Sequence, residues 1–178
     1  MWLETIEKVF IVNLQKRTDR LLETAQLLDD YEIPYDVFPA IERENGAEGL
    51  RDTMLIIFRE AIEQGYERIM VFEDDIEWCD EDVNEVMEKV VKQIPPDFRM
   101  VLLGGQPSNG FSSFYSENLL PVTKAFATHC VIYSKLCIEE AVALRLGFPI
   151  DNWLVDSIQP RGGTYMVCPM LASQRPGH

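Results

Sequence analysis

Three short apolar runs constrain this chain more than any other feature: Lys8 to Leu14 (KVFIVNL), Arg68 to Phe72 (RIMVF) and Met100 to Leu103 (MVLL). Each is rich in β-branched or large apolar residues and lacks a polar alternation, the pattern of a strand buried on both faces of a parallel sheet. Such a sheet needs a helical layer on each side, and the segments between the runs supply it. Thr18 and Asp19 offer N-cap oxygens to a helix carrying Leu21, Leu22, Ala25 and Leu28 and running to about Tyr31, ended by Ile33-Pro34. Tyr35 to Ala40 reads as a second strand, and Glu42 to Glu48 as a polar loop with Asn45-Gly46 as its turn signal. A helix starting near Gly49 or Arg51 presents Met54, Leu55, Phe58, Ala61 and Ile62 on one face and stops at Gly65. Asp80 to Ile94 reads as an amphipathic helix ended by Pro95-Pro96.

Beyond the fourth strand, Gln106 to Ser116 has the composition of a surface loop that could close over a ligand. Val122 to Ser134 supplies one or two strands, Lys135 to Leu146 a helix, Asn152 to Ile158 a short helix and Thr164 to Val167 a last strand. The predicted class is α/β, one domain over residues 1–178, with a mostly parallel central sheet flanked by helices.

Thirty acidic against sixteen basic side chains leave a formal charge of −14, which repels nucleic acid and anionic lipid. The same field repels a nucleotide diphosphate, so a phosphate-bearing substrate requires local Arg or Lys and a divalent cation. Cys79, Cys130, Cys137 and Cys168 show neither a CxxC nor a His-paired zinc spacing. With no signal peptide and no transmembrane segment in the sequence, the expected location is cytoplasmic, with reduced thiols.

Glu73, Asp74 and Asp75 stand at the carboxyl end of the third strand, the edge where open α/β sheets bind ligands. Three adjacent carboxylates repel one another unless a cation relieves them, and hard oxygen ligands suit magnesium or manganese. On an extended segment Glu73 and Asp75 face one cleft while Asp74 turns away, which makes Asp75 the preferred metal ligand, with Glu73 second. A solvated acidic turn is the bland alternative for the same residues.

The order of motifs resembles glycosyltransferase family 25, which includes lipooligosaccharide and collagen galactosyltransferases. VFIVNLQKRTDR (Val9 to Arg20) is similar to that family's first strand with its Asn-Leu and Arg-x-Asp-Arg element, and RIMVFEDDIEW (Arg68 to Trp78) to its strand ending in Glu-Asp-Asp. Weaker similarities follow in order at Val131 to Lys135, Pro149 to Leu154 and Pro169 to Gln174. The resemblance implies a GT-A-type nucleotide-binding fold, a nucleotide-sugar donor, usually a UDP-hexose, and inverting transfer to a glycan or other hydroxyl acceptor. The family's Ser-His pair before the acidic strand is replaced here by Thr53-Met54.

Resemblance and position together make Val12, Asn13 and Leu14 the lining of the nucleotide pocket, with Arg17 or Arg20 reaching the donor diphosphate alongside Glu73 and Asp74. Asp151 is the first choice for the base that takes the acceptor proton, by resemblance, and Asp156 the second. The terminal His178 is a candidate metal ligand, as some GT-A enzymes use one. His129 reads as a hydrogen-bonded structural histidine, with a donor-site role as its alternative, and Trp153 as core beside Ile150 and Leu154, with stacking on a sugar or acceptor as its alternative.

Two other classes compete: a catalytically silent domain of the same fold that binds a nucleotide sugar, glycan or protein, and a receiver-type signalling domain. The second is disfavoured because its acidic pair follows the first strand, which here ends in Asn-Leu.

Overall fold

A computed structural model describes residues 1–79, 82–108 and 113–175. The central sheet has seven strands, which we number in chain order with the remaining strands. They are β1 (Lys8–Asn13), β2 (Asp36–Pro39), β3 (Arg68–Glu73), β5 (Met100–Leu102), β7 (Leu119–Pro121), β9 (Cys130–Ser134) and β10 (Thr164–Val167), in the order β2-β1-β3-β9-β5-β10-β7. β1, β2, β3, β5 and β10 share one direction, while β9 and β7 run against it. The expected mostly parallel α/β sheet is therefore present, with one antiparallel strand wedged into its middle.

Alternation along each strand sends successive side chains to opposite faces and builds two cores. Val9 and Ile11 of β1, with Met70 and Phe72 of β3, enter one. There they meet Leu28 of α1 (Thr18–Asp29) and Val86, Met87 and Val90 of α3 (Val83–Gln93). Phe10, Val12, Ile69 and Val71 enter the other, against Met54, Ile57 and Phe58 of α2 (Gly46–Gln64), Ile138 of α4 (Lys135–Ala143) and Leu154 of α5 (Ile150–Ser157). Fully burying a side chain of this kind is worth about 1.5–3 kcal/mol, so the two-sided burial of β1 and β3 anchors the strand ends that carry the site.

Several boundaries differ from the sequence expectation. α2 begins at Gly46 because Asn45 Oδ1 accepts a hydrogen bond from Ala47 N at 3.0 Å. The side chain that reads as a turn former thus serves as a helix cap. α1 is preceded by Arg17 without a side-chain cap, so Thr18 and Asp19 lie inside its first turn. α3 starts after Asp82, whose Oδ1 accepts from Glu85 N at 2.9 Å, and Asp80 lies outside the described residues. α5 begins at Ile150 rather than Asn152, which places Asp151 in its first turn.

Two small sheets were not legible beforehand: β4 (Ile76–Trp78) pairs with β11 (Ala172–Gln174), and β6 (Gln106–Pro107) with β8 (Ala125–Phe126). The expected loop from Gln106 to Ser116 therefore opens on a paired strand, and its residues 109–112 lie outside those described. No described helix is long and apolar enough to cross a membrane.

Candidate functional site

β1 and β3 lie side by side in parallel with Val12 opposite Glu73, so their carboxyl ends form one edge. β9 runs against β3, and Glu73 N donates to His129 O at 2.9 Å, which brings the residues just before β9 to the same edge. β3 ends at Glu73, and Asp74-Asp75 form a tight turn into β4. The strand alternation used to orient the triplet therefore stops one residue too early: Glu73 and Asp74 line the cleft, and Asp75 does not.

Arg20 organises this turn. Its Nη1 donates to Asp74 Oδ1 at 3.2 Å and sits 3.5 Å from Asp75 Oδ2, with the three side chains largely buried. Two further residues that sequence reading did not single out hold the backbone: Thr24 Oγ1 donates to Asp74 O at 2.9 Å, and Arg175 N to Asp75 O at 2.9 Å. Arg175 Nη2 also donates to Thr24 Oγ1 at 3.0 Å, so the β11 end of the chain and α1 clamp the acidic turn from two sides. Burial pushes the Asp74 carboxyl above the ordinary range, with Arg20 opposing the rise. Asp75 Oδ1 is buried and has no hydrogen-bond partner.

Glu73 is the most perturbed acid of the group. Its side chain borders the cleft, yet its carboxyl sits inside the protein; burial, then the charges of Asp75, Asp151 and Asp74, push it up to about 8. Thr128 links it to Asp151. The hydroxyl donates to Asp151 Oδ1 at 2.5 Å and lies 3.5 Å from Glu73 Oε1. One hydroxyl carries one proton, so the short contact takes it, and the Glu73 side is satisfied when Glu73 itself is protonated. Ala127, at φ 72°, turns the chain immediately before Thr128. Thr128 carried no sequence signal because its partners come from β3 and α5, distant along the chain.

A cleft of about 380 Å³ opens beside this cluster. Val12, Leu14, Arg20, Glu73 and Asp74 line it, as do Lys16 and Arg43, two cations that the sequence reading did not propose. Each has an acidic partner: Lys16 pairs with Glu42, and Arg43 Nη2 with Asp52 Oδ2 at 3.0 Å. Asn13 does not line the cleft; it is buried, donates from Nδ2 to Leu14 O at 2.8 Å and leaves Oδ1 without a partner. Arg17 also lies off the cleft, its Nη2 2.8 Å from Asp19 Oδ2.

The remaining candidates separate cleanly. Neither Asp151 nor Asp156 lines the cleft; Asp151 reaches it through Thr128 and Glu73, whereas Asp156 is exposed more than one turn further along α5. Trp153 packs against the second core and onto Gly147, where an added Cβ would lie 2.4 Å from its ring. His129 is buried beside Ala172 O, with Nε2 at 3.3 Å, and burial lowers its pKa. Thr53 Oγ1 accepts from Ile41 N and donates to Gly49 O, both at 2.8 Å, and Met54 is core, so this pair serves packing. His178 lies outside the described residues. Among the described residues no group of three or more His, Cys, Asp or Glu is arranged to hold a metal ion.

No protein-family model and no curated protein matches the sequence. Solved structures do match in fold. A197 from STIV superimposes with a TM-score of 0.55 at 14% identity, over 94% of this chain and 84% of that one. A glycosyltransferase involved in the glycosylation of the major capsid of PBCV-1 gives a TM-score of 0.56 at 14% identity, over 89% and 80%. Mannose-1-phosphate geranyltransferase from Thermus thermophilus gives 0.55 at 10% identity, over 95% and 76%. At these identities the likeness is one of fold, and the chain has a glycosyltransferase-like, GT-A-type α/β fold.

Proposed function

We propose that this chain is a glycosyltransferase of the kind its motifs resemble, family 25, moving a hexose from a nucleotide diphosphate, UDP by preference, to a hydroxyl acceptor with inversion. The observation that carries the reading is the meeting of Asp151, Thr128 and Glu73 beside a cleft that gathers Lys16, Arg20 and Arg43 in a chain of formal charge −14.

In this reading the nucleotide lies against Val12 and Leu14, and the diphosphate oxygens take hydrogen bonds from Arg20 and from Lys16 or Arg43 as these leave their acidic partners. Asp151, oriented by Thr128, takes the proton of the acceptor hydroxyl as its oxygen bonds the anomeric carbon and the bond to the diphosphate breaks on the opposite face. Thr128 keeps one Asp151 oxygen occupied, leaving the other for the proton.

A manganese or magnesium ion at the acidic turn follows from the resemblance, although among the described residues no three acidic or histidine side chains are arranged to hold one. Arg20 is the one cation in contact with Asp74 and Asp75 among the described residues, the Glu73 carboxyl lies close enough to interact with both and with Asp151, and Asp75 Oδ1 is an unpartnered buried oxygen. Asp75 and Glu73 would hold the ion, with His178 as a further candidate, and the ion supplies neutralisation of charge on the departing diphosphate.

Calorimetric titration with UDP, with GDP as control, in the presence and absence of manganese tests the reading. Metal-dependent, UDP-selective binding that Asp75→Asn removes, together with donor turnover that Asp151→Asn slows by about a hundredfold or more, is expected. Absence of binding by either nucleotide overturns it, and nucleotide binding without transfer or donor hydrolysis selects a silent binding domain instead.

A further inference from the structure

A second pocket, of about 510 Å³, lies between α2 and the end of α4, and its lining contrasts with the rest of the molecule. Arg51, Arg59 and Arg145 line it with Leu55, Leu146 and Phe148, and no carboxylate does, whereas the cleft mixes its cations with Glu42, Glu44, Glu73 and Asp74. Among the described residues the Arg59 and Arg145 guanidinium groups have neither an ion-pair nor a hydrogen-bond partner, although acidic residues outnumber basic ones thirty to sixteen. Arg51 is the paired member, its Nη2 2.7 Å from Asp52 Oδ1, and it lies over the exposed Phe148 ring with Cζ 5.3 Å from the centroid.

The backbone fixes the position of Arg145 at the pocket. α2 and α4 end in the same motif: Tyr66 N donates to Ala61 O and Gly65 N to Ile62 O in one, Leu146 N to Ala141 O and Arg145 N to Val142 O in the other. The motif requires a left-handed residue at its turn, a place normally taken by glycine. α2 uses Gly65, at φ 73°, while α4 uses Arg145, at φ 58°. α1 closes the same way with Glu32, at φ 55°, so a side chain is tolerated at such a turn, and in α4 the turn fixes where the Arg145 cation stands at the pocket.

The pocket adjoins the cleft through the chain itself. Leu50 lines the cleft and Arg51 the pocket; Phe148 lines the pocket, and Asp151 follows in the first turn of α5. We propose that this pocket is the outer subsite of an anionic saccharide acceptor. A phosphate or carboxylate group borne by a sugar is gripped by Arg59 and Arg145, and a sugar ring lies on Phe148, while the acceptor's reacting hydroxyl reaches Asp151. The direction of the acceptor rests on the transferase reading; the anionic sugar site does not. Guanidinium forks match phosphate and carboxylate oxygens two at a time, and an aromatic face accommodates the apolar side of a pyranose. Nucleic acid and anionic membrane are poorly matched to three arginines set in so acidic a chain.

The test is calorimetric titration of the full chain with three tetrasaccharides: maltotetraose, maltotetraose phosphate and tetragalacturonate. One or both charged probes are expected to bind at least about tenfold more tightly than the neutral one, and which of them binds identifies the anion. Arg145→Gly, which suits the helix end, and Arg59→Ala are each expected to lose about tenfold of that affinity, with the melting temperature not lowered and UDP binding unchanged. Equal binding of charged and neutral probes, unaltered binding by both variants, or retention of the chain only by phosphatidylserine vesicles overturns the inference. Nucleotide binding without any saccharide binding removes this subsite and leaves the transferase reading standing. Saccharide binding without nucleotide binding keeps the site and removes the transferase.

Discussion

Glu73→Gln is expected to make the protein more stable while disabling its site, and the size of the gain follows from the Glu73 environment. In the fold this carboxyl is pushed up from 4.5 to about 8, first by burial and then by Asp75, Asp151 and Asp74. Below 4.5 both the folded and unfolded chains hold the proton, and the group contributes no pH dependence. Between 4.5 and about 8 the folded chain keeps a proton that the unfolded chain releases, so stability falls as pH rises, by about 1.4 kcal/mol per pH unit. Above about 8 both are ionised and the loss is complete.

At pH 7 the full effect is about 3 kcal/mol. The side chain borders an open cleft whose water screens its neighbours, so about 2–3 kcal/mol is expected. Glutamine keeps the shape and does not titrate, so the variant avoids this loss. Thermal unfolding with a chelator present, at about pH 5 and about pH 8, should show the two proteins diverging as pH rises. At neutral pH the variant should melt roughly 5–10 °C higher, as expected for a chain of this length. Parallel pH profiles, or a variant less stable at both pH values, would refute the picture of a buried, proton-holding Glu73. The same variant should lose manganese-dependent UDP binding, a stability gain set against function.

Arg20→Gln leaves Asp74 and Asp75 largely buried without their cation and is expected to cost about 3 kcal/mol by urea denaturation, together with loss of nucleotide binding. Thr128→Val removes the hydroxyl that orients Asp151, so kcat should fall by about tenfold or more with donor affinity retained; an unchanged kcat would remove Thr128 from the mechanism. Gly104→Ala would set a Cβ 1.7 Å from Ala172 O, against the strand that carries the chain to Arg175. The melting temperature should drop by roughly 5 °C or more, and an unchanged value would show that this approach is looser than described.

The two-sided burial of β1, β3 and β5, the helices between them and the acidic end of β3 were all legible in the sequence. They depend on local composition and period, which a strand or helix carries along its own length. Motif order likewise singled out Arg20, Glu73, Asp74 and Asp151 as candidates, and the fold brings these four to one edge. Asp75 was also found, but its orientation was misread because the strand rule was carried past the last strand residue into a turn.

What the sequence could not determine is which distant segments meet. β9 inserts between β3 and β5 and runs against both, and that single choice delivers Thr128 to Glu73 and Asp151. Lys16 and Arg43 reach the cleft, and Arg175 the acidic turn, from loops and chain segments whose own composition marks them only as polar surface. Arg51, Arg59 and Arg145 read singly as solvated helix residues, and only the packing of α2 against α4 gathers them at one pocket, where Arg51 keeps Asp52 as its partner and Arg59 and Arg145 have none among the described residues. Local pattern decides which face a residue presents, because a backbone has one period at a time; long-range pairing decides what that face meets, and charge and pKa belong to the meeting.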